Sequence, residues 1–405
     1  MNVLRRSPEE VRLPRGFAFS ALAAGIKVSG RPDLALALAT SGATAAALFT
    51  KNRVVAAPLE VGRESLRASR GRLTALLVNS GNANCATGGA GKRACERICK
   101  EAARLLGTRG EQVLPSSTGI IGVPLPAEKI VAKLPEIIEA QADNEAAALA
   151  FATAILTTDT RPKVASARFG RDSGEVTILG IAKGSGMIHP QLATMLVYLF
   201  TDITASPREL HRVLRDASDP TLNSMSVDGD TSTNDTVLLL ASGQSGARLG
   251  HRSTRNQFSQ ALSAVCQSLA EQIVTDGEGV QHVIRLYVEQ ARTREEAVRV
   301  ARAIAHSALV KTAWAGADPN WGRILAAVGY SGVPVDPSRV NIAIGGQTVC
   351  RKGTAARFDE KRAHQSLAEP ECDIRVQLGR GASKVRFLTT DLTAEYVRIN
   401  ADYST

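Results

Sequence analysis

The chain has 405 residues, 44% of them hydrophobic and 22% charged, which is the composition of an ordinary globular protein of about two domains. Its net charge of +10 comes from basic residues spread along the chain, and only 4% of its residues are aromatic. This composition excludes the pattern of alternating aromatic and basic residues with which single-stranded nucleic-acid binders hold their bases and phosphates. No apolar run approaches the roughly 20 residues of a membrane-spanning helix. We expect attraction of small anionic metabolites, no nucleic acid and no membrane.

The six cysteines predict neither a disulfide framework nor a metal site. Cys95 and Cys99 lie four residues apart on a predicted helix, with no histidine or second cysteine pair nearby in sequence. Buried thiols in a reducing cytoplasm are the simpler interpretation. The apolar residues 17–26 end at Lys27 without a cleavage region, so we expect no signal peptide.

In chain order, the hydrophobic patterns predict short strands and helices in alternation. Strands are predicted at residues 34–39, 45–49, 73–78 and within 164–181, with residues 53–61 as a strand or a loop. Helices are predicted up to about residue 106, at 127–134 (stopped by Pro135), 144–155, 207–217 and 256–274. We place a domain boundary near residue 280, which gives a main domain 1–280 and a smaller α/β domain 281–405.

Two loops are informative, and the first of them follows the predicted strand 73–78. Residues 79–92 are rich in Gly and Asn, yet Ala86 stands where the Walker phosphate loop needs glycine, so this is not such a loop. In residues 113–122, small hydroxyl side chains precede Gly119, so that a ligand oxygen can approach both a side-chain O–H and a backbone N–H. That pair of donors is what an oxyanion hole requires, although a plain strand-to-helix turn explains the same residues.

A third polar loop, residues 223–236, has the Asp, Asn and Gly spacing of a calcium loop. The twelfth position counted from Asp228 is Leu239, where a calcium loop needs glutamate. We therefore interpret this loop as part of a site wall or of the scaffold.

The central stretch is 181–204, where Lys183 leads into a Gly-Ser-Gly turn and Ala193-Thr194 opens an apolar run. A threonine at this place suits nucleophilic attack on a carbonyl, provided that a base activates its hydroxyl. The α-amine of a chain N-terminus titrates near pH 7.7–8.0 and serves as such a base. Cleavage of the Ala193–Thr194 bond would create that terminus. On this stretch alone, Thr194 as the cap of a buried helix is the more ordinary interpretation.

Taken together, the motifs resemble those of the ornithine acetyltransferase (glutamate N-acetyltransferase) family of arginine biosynthesis. The resemblance runs almost from end to end, and small departures such as Ser80, Cys85 and Gln191 remove no catalytic group. The matching segments are Gly25-Ile26-Lys27, Asn79 to Asn84, Ser117-Thr118-Gly119, Thr157-Thr158-Asp159-Thr160, Lys183 to Ile188, Ala193 to Leu196, Ser226 to Thr236, Asp276-Gly277-Glu278-Gly279 and Asp318 to Arg323.

The resemblance implies an αββα-type sandwich and a precursor that cuts itself before Thr194. The products would be an α chain 1–193 and a β chain 194–405, usually assembled as α2β2. Acetyl would pass from N2-acetyl-L-ornithine through Thr194 to L-glutamate, in a ping-pong reaction without a cofactor or metal. By matching motif, Thr118 and Gly119 would form the oxyanion hole, and the residues holding substrate would be Thr157, Lys183, Thr194, Glu278, Asn400 and Thr405.

Two other functions remain open from the sequence. An amidase or aminopeptidase of the same self-processing fold would pass the acyl group to water, and a binding protein that kept the fold would bind metabolites without turnover. No residue decides whether acetyl-CoA also serves as an acetyl donor.

Overall fold

The computed structural model describes residues 11–170, 174–188 and 195–402. Within these ranges, a first sheet contains eight strands and is accompanied by six helices. The strands are β1 (Phe17–Leu22), β2 (Leu34–Phe49), β3 (Arg72–Asn82), β4 (Val113–Ile120), β5 (Lys163–Phe169), β6 (Val176–Lys183), β7 (Leu196–Thr201) and β8 (Thr236–Ala241). The helices are α1 (Ala57–Ala68), α2 (Gly88–Leu105), α3 (Ala127–Glu139), α4 (Glu145–Ala154), α5 (Pro207–Ser218) and α6 (Arg252–Thr275).

The long strand β2 turns this sheet into two layers. Its register against β3 shifts between Leu38 and Ala43, and Gly42 there has a φ of +76°. Before the shift, β2 pairs with β1 and β3. After it, β2 pairs with β8, in the order β4-β3-β2-β8-β7-β6-β5. The layers face each other because one buried cluster contains Phe19 and Leu76 from the first layer and Tyr198 and Leu238 from the second.

Helices cover both outer faces. Cluster residues of α2 and α3 pack on alternate β2 residues such as Leu34 and Leu36, and those of α5 and α6 pack on Val197 and Leu199. The strands are therefore buried on both faces, which accounts for their nearly continuous hydrophobic runs. The predicted αββα sandwich is confirmed.

A second sheet follows, with its own core. Its strands are β9 (Val283–Ala291), β10 (Asn341–Ile344), β11 (Gln347–Arg351), β12 (Thr354–Ala355), β13 (Glu371–Gln377) and β14 (Ser383–Thr390), in the order β12-β11-β10-β13-β9-β14. The helices are α7 (Arg294–Ala305), α8 (Ala308–Ala315), α9 (Trp321–Gly329), α10 (Glu360–Ala368) and α11 (Ala394–Asp402). The buried residues of this core run from Ile284 to Phe387. The boundary near residue 280 stays a prediction.

Some local predictions were confirmed only in part or were wrong, and the reasons are identifiable. Residues 34–39 and 45–49 belong to one strand, β2, and residues 53–61 enter α1, where Pro58 lies in the first turn that tolerates proline. Helix α3 continues through Pro135 because its buried face, which includes Leu134 and Ile137, packs against the sheet. The apolar run after Thr194 is the strand β7, so the interpretation of Thr194 as a helix cap was also wrong.

An aromatic cluster joins α4 to both layers. Phe151 of α4 lies 5.7 Å from Phe19, 5.9 Å from Tyr198 and 6.4 Å from Phe200, measured between ring centroids. The Tyr198 hydroxyl donates a hydrogen bond to Ser116 Oγ at 2.7 Å and so connects β7 with β4. None of the described helices combines the length and apolar composition needed to cross a bilayer.

We expect Phe151→Ala to lower the free energy of unfolding by about 3–5 kcal/mol, because it leaves a cavity between the layers. Urea unfolding followed by fluorescence measures the loss. The matched control is Phe169→Ala, since Phe169 is only half-buried beside Phe258. A loss no larger than that of the control would contradict the importance of the cluster.

Candidate active site

One cleft collects most of the predicted site residues. It is open to solvent and has a cavity volume of about 100 Å³. It lies where β4 and β6 end and where β7 and β8 begin. Its lining residues include Thr118, Gly119, Thr157, Lys183, Glu278 and Asn400. Ala193, Thr194 and Thr405 lie outside the described residues.

Residues 113–120, which were predicted as part of a loop, form the strand β4, and the end of this strand requires glycine at position 119. Gly119 has a φ of +131°, and a Cβ atom there would lie 2.3 Å from the carbonyl carbon of Gly81. Parallel pairing of β3 with β4 sets Gly81 directly beside it. The buried Thr118 accepts a hydrogen bond from Lys183 Nζ at 3.4 Å. Since a hydroxyl both accepts and donates, the Thr118 hydrogen is left to donate toward a ligand.

Lys183 is the cation of the cleft. It is the last residue of β6 and only 4% exposed, and its Nζ donates to Thr157 Oγ1 at 2.9 Å. Burial lowers the pKa of Lys183, and the carboxylate of Asp159, 3.8 Å away, opposes that shift. A lysine in such a place binds a carboxylate strongly because few water molecules compete.

A buried charge network stands behind Lys183. Lys163 Nζ lies 2.6 Å from Asp159 Oδ1 and 2.6 Å from Asp276 Oδ2, with its side chain fully buried. Asp159 also accepts hydrogen bonds from the backbone N–H groups of Gly184 (2.6 Å) and Thr157 (3.2 Å). Burial by itself would raise the pKa of Asp159, but the charges of Lys163 and Lys183 hold it well below its usual range.

Glu278 supplies a carboxylate to the cleft. Its Oε2 accepts a hydrogen bond from Asn400 Nδ2 of α11 at 2.8 Å. Helix α11 lies close because Gly279 has no side chain, and a Cβ atom there would be 2.4 Å from Tyr396 N. On the other side, a Cβ atom on Gly186 would be 2.3 Å from Glu278 Oε2. Gly186 thus leaves room for the carboxylate itself, and Gly279 leaves room for the helix whose Asn400 binds it.

The described residues on either side of 189–194 are both anchored beside this cleft. Asp228 accepts hydrogen bonds from the N–H groups of Met187 and Ile188, and Asp235 accepts one from Met195 N at 3.1 Å. Met187 itself lines the cleft, and so does Asn234, the neighbour of Asp235. Burial raises the pKa of Asp228, and it raises that of Asp235 well above the usual range.

Sequence reasoning missed some of the residues gathered here. Lys163 gave no signal beyond a charged residue at the start of a predicted strand. The loop 223–236 had been interpreted as site wall or scaffold, and its residues Ser232, Thr233 and Asn234 do line the cleft. Among the described residues, no group of His, Cys, Asp and Glu is arranged to hold a metal ion.

Comparison with known proteins gives sequence matches over nearly the whole chain. A family model described as the ArgJ family matches residues 18–405. Proteins named arginine biosynthesis bifunctional protein ArgJ are 48% identical in Thermus thermophilus, over 98% of this chain and 100% of that one, and 46% identical in Methylococcus capsulatus, over 96% and 95%. The crystal structure of arginine biosynthesis bifunctional protein argJ from Bacillus halodurans is 40% identical, covers 51% of this chain and 98% of its own, and superposes with a TM-score of 0.49.

We expect Asp159→Asn to destabilise the protein by about 3 kcal/mol at pH 7, because it removes one partner of a buried ion pair. The folded pKa of Asp159 lies below its unfolded value, so this stabilisation is complete above about pH 4 and is lost as the pH falls below it. Denaturant unfolding of both proteins at pH 7 and pH 3 should therefore show the difference shrinking in acid.

The control is Glu128→Gln, which breaks an ion pair with Arg97 on the exposed surface. We expect little change in stability at either pH from that substitution. A difference between wild type and Asp159→Asn that stays constant from pH 7 to pH 3 would contradict an ionised, buried Asp159.

Proposed function

Because the chain belongs to the ArgJ family, we propose that it transfers the acetyl group of N2-acetyl-L-ornithine to L-glutamate, giving L-ornithine and N-acetyl-L-glutamate. One observation supports this above all others. The cleft presents a buried ammonium at Lys183, a carboxylate at Glu278 and the Thr118-Gly119 loop together. An amino-acid carboxylate pairs with the first, and the side-chain ammonium of ornithine pairs with the second.

The nucleophile would be Thr194, freed as a chain N-terminus by cleavage of the Ala193–Thr194 bond. Its Oγ attacks the acetyl carbonyl carbon while its own α-amine takes the hydroxyl proton. The carbonyl oxygen becomes an oxyanion, which the Thr118 hydroxyl and the Gly119 N–H stabilise. The bond from carbon to the ornithine nitrogen then breaks, the proton passes to the leaving amine, and acetyl remains on Thr194 as an ester.

In the second half, the neutral α-amine of glutamate attacks that ester. The α-amine of Thr194 takes the proton from the glutamate nitrogen and returns it to the threonine oxygen as the ester bond breaks. Thr157, Asn400 and Thr405 would hold the substrates. The positions of Thr194 and Thr405 in this scheme rest on the matched motifs.

We also propose that acetyl-CoA serves as an alternative donor, which the relatives' name "bifunctional protein" favours. Two α and two β chains would form the assembly. Glutamate acetylation with acetyl-CoA replacing acetylornithine tests the second donor, and native mass measurement tests the assembly.

We expect Thr194→Ala to remain a single chain without acetyl transfer, because it lacks both the attacking oxygen and the new terminus. Intact mass under denaturing conditions should show two chains for the wild type, the second beginning at Thr194, and one for the variant. Ornithine release from acetylornithine should fall at least 10³-fold, because removing a nucleophile costs at least that much.

Omission of glutamate separates transfer from hydrolysis. Ornithine release by the wild type should then stop after about one equivalent per site. Continued release without glutamate would favour an amidase. An uncut wild type that binds ornithine without turnover would favour a binding protein.

We expect Gly186→Ala to raise the KM for acetylornithine about tenfold or more, because the new methyl group displaces the Glu278 carboxylate. The thermal midpoint should move little, since Gly186 does not need a left-handed backbone. Steady-state kinetics measure the effect. The control is Gly329→Ala at the end of α9, where the added methyl meets nothing within 4 Å. An unchanged KM would contradict a role of Glu278 in binding acetylornithine.

A further inference from the structure

The cleft wall formed by residues 232–234 has no role in the proposed reaction, yet its contacts are specific. Asn234 is 5% exposed, and its Nδ2 donates to Ala83 O at 2.7 Å and to Ser117 O at 2.9 Å. Its Oδ1 accepts a hydrogen bond from Thr233 Oγ1 at 2.6 Å. Both amide hydrogens and the amide oxygen are therefore engaged, which fixes the side chain in one orientation.

The two carbonyl groups that Asn234 binds lie at the ends of β3 and β4. The end of β4 contains Thr118 and Gly119, and these two residues are called the oxyanion loop below. The Ser117 carbonyl shares a rigid peptide plane with the N–H of Thr118. Ala83 directly follows β3, and its N–H donates a hydrogen bond to Ile120 O of β4 at 2.9 Å. The end of β3 itself packs against Gly119. One amide thus holds both sides of the loop that contains Thr118 and Gly119.

The next residue, Asp235, holds the nucleophile strand. Its Oδ1 accepts from Met195 N at 3.1 Å, and the adjacent Thr236 N donates to Met195 O at 3.2 Å. Met195 directly follows Thr194 in the chain. Asn234 and Asp235 therefore tie the oxyanion loop and the start of β7 to one short backbone segment.

We propose that Asn234 is a positioning residue, which together with Asp235 sets the separation between the oxyanion donors and the nucleophile strand. This inference rests on the proposed function, because Thr194, Thr118 and Gly119 have their roles only in acyl transfer. Within the described part of the chain, the Asn234 side chain hydrogen-bonds to Thr233, Ala83 and Ser117. It acts through Ser117 and Ala83, whose carbonyl groups orient the loop.

A positioning role has a kinetic signature that a purely structural role lacks. An oxyanion exists only in the transition state and the tetrahedral intermediate, so a displaced oxyanion loop lowers kcat and leaves substrate binding intact. Lys183 and Glu278 make none of their hydrogen bonds or ion pairs with Asn234 in the described part of the chain. The KM for acetylornithine should therefore remain close to that of the wild type.

The test is Asn234→Ala in the full chain after self-cleavage, with active sites counted by intact mass. We expect kcat for acetylornithine to fall about 10²-fold, the cost of a misplacement near 1 Å, with KM within threefold of the wild type. The same loss should appear with p-nitrophenyl acetate, an activated ester that needs neither ornithine nor glutamate to acetylate Thr194 and release p-nitrophenolate.

A second variant serves if Asn234→Ala does not fold or does not cleave. Thr233→Val keeps the volume but removes the hydroxyl that orients the Asn234 amide, and kcat should fall about tenfold. The control is Asn52→Ala, which loses an amide bond to Thr231 O (2.9 Å) in the same loop without touching Ser117 or Ala83. Its kcat should stay within twofold of the wild type.

The outcomes separate the two proposals. In one outcome, p-nitrophenyl acetate acetylates the wild type faster than Asn234→Ala, but the wild type does not transfer acetyl from acetylornithine to glutamate. This outcome supports positioning and overturns the proposed substrates. Wild-type kcat in Asn234→Ala, or a loss equal to that of Asn52→Ala, overturns positioning alone. A raised KM with unchanged kcat makes Asn234 a substrate contact instead. A wild type that neither reagent acetylates overturns both proposals.

Discussion

Two lysines and two aspartates are buried together at one end of the sandwich, and the shape of the cleft depends on how they pair. Lys163 contacts both Asp159 and Asp276, and Lys183 faces Asp159. An isolated buried charge costs several kcal/mol, so each ion needs its partner in place. This requirement joins the loop at 157–160, the end of β6 and the end of α6. Lys183 is then left with its ammonium in the cleft.

The same carboxylates also order the backbone. The Asp159 carboxylate accepts hydrogen bonds from the backbone N–H groups of Thr157 and Gly184. The Asp276 carboxylate accepts one from the N–H of Thr160 at 3.0 Å, and the Asp276 backbone carbonyl accepts one from Ser185 Oγ at 2.6 Å. Loops that carry functional groups are usually the less stable parts of a fold. Here the loops are bound to charges that cannot leave the interior, so the position of the lysine follows from electrostatics.

A different principle governs the opposite wall of the cleft. There the parallel pairs β3–β4 and β7–β8 bring strand ends together, and amide and carboxyl side chains of consecutive residues span the gap. Hydrogen bonds of this kind specify direction as well as distance. Charge therefore sets the side of the cleft where substrate is expected to bind, and directed hydrogen bonds set the side where the oxyanion is expected.

The sequence by itself determined what is local. Gly119 was recognisable because a ligand oxygen must approach a backbone N–H, and the helix predicted at 144–155 is present as α4. The order of the motifs identified the family, and the matched motifs indicated most of the cleft residues. Recognising these features required no knowledge of distant neighbours, although the steric need for glycine at position 119 comes from Gly81 on the neighbouring strand.

Only the tertiary structure decided the rest. A run of apolar residues such as 195–200 suits a buried helix and a buried strand equally, and it became β7 because β6 and β8 supply hydrogen bonds on both sides. Lys163 and Asp276 are 113 residues apart, and Asn234 and Ser117 are 117 apart. Partners at such separations have no local pattern, since they meet only when the layers close and exclude water from between them.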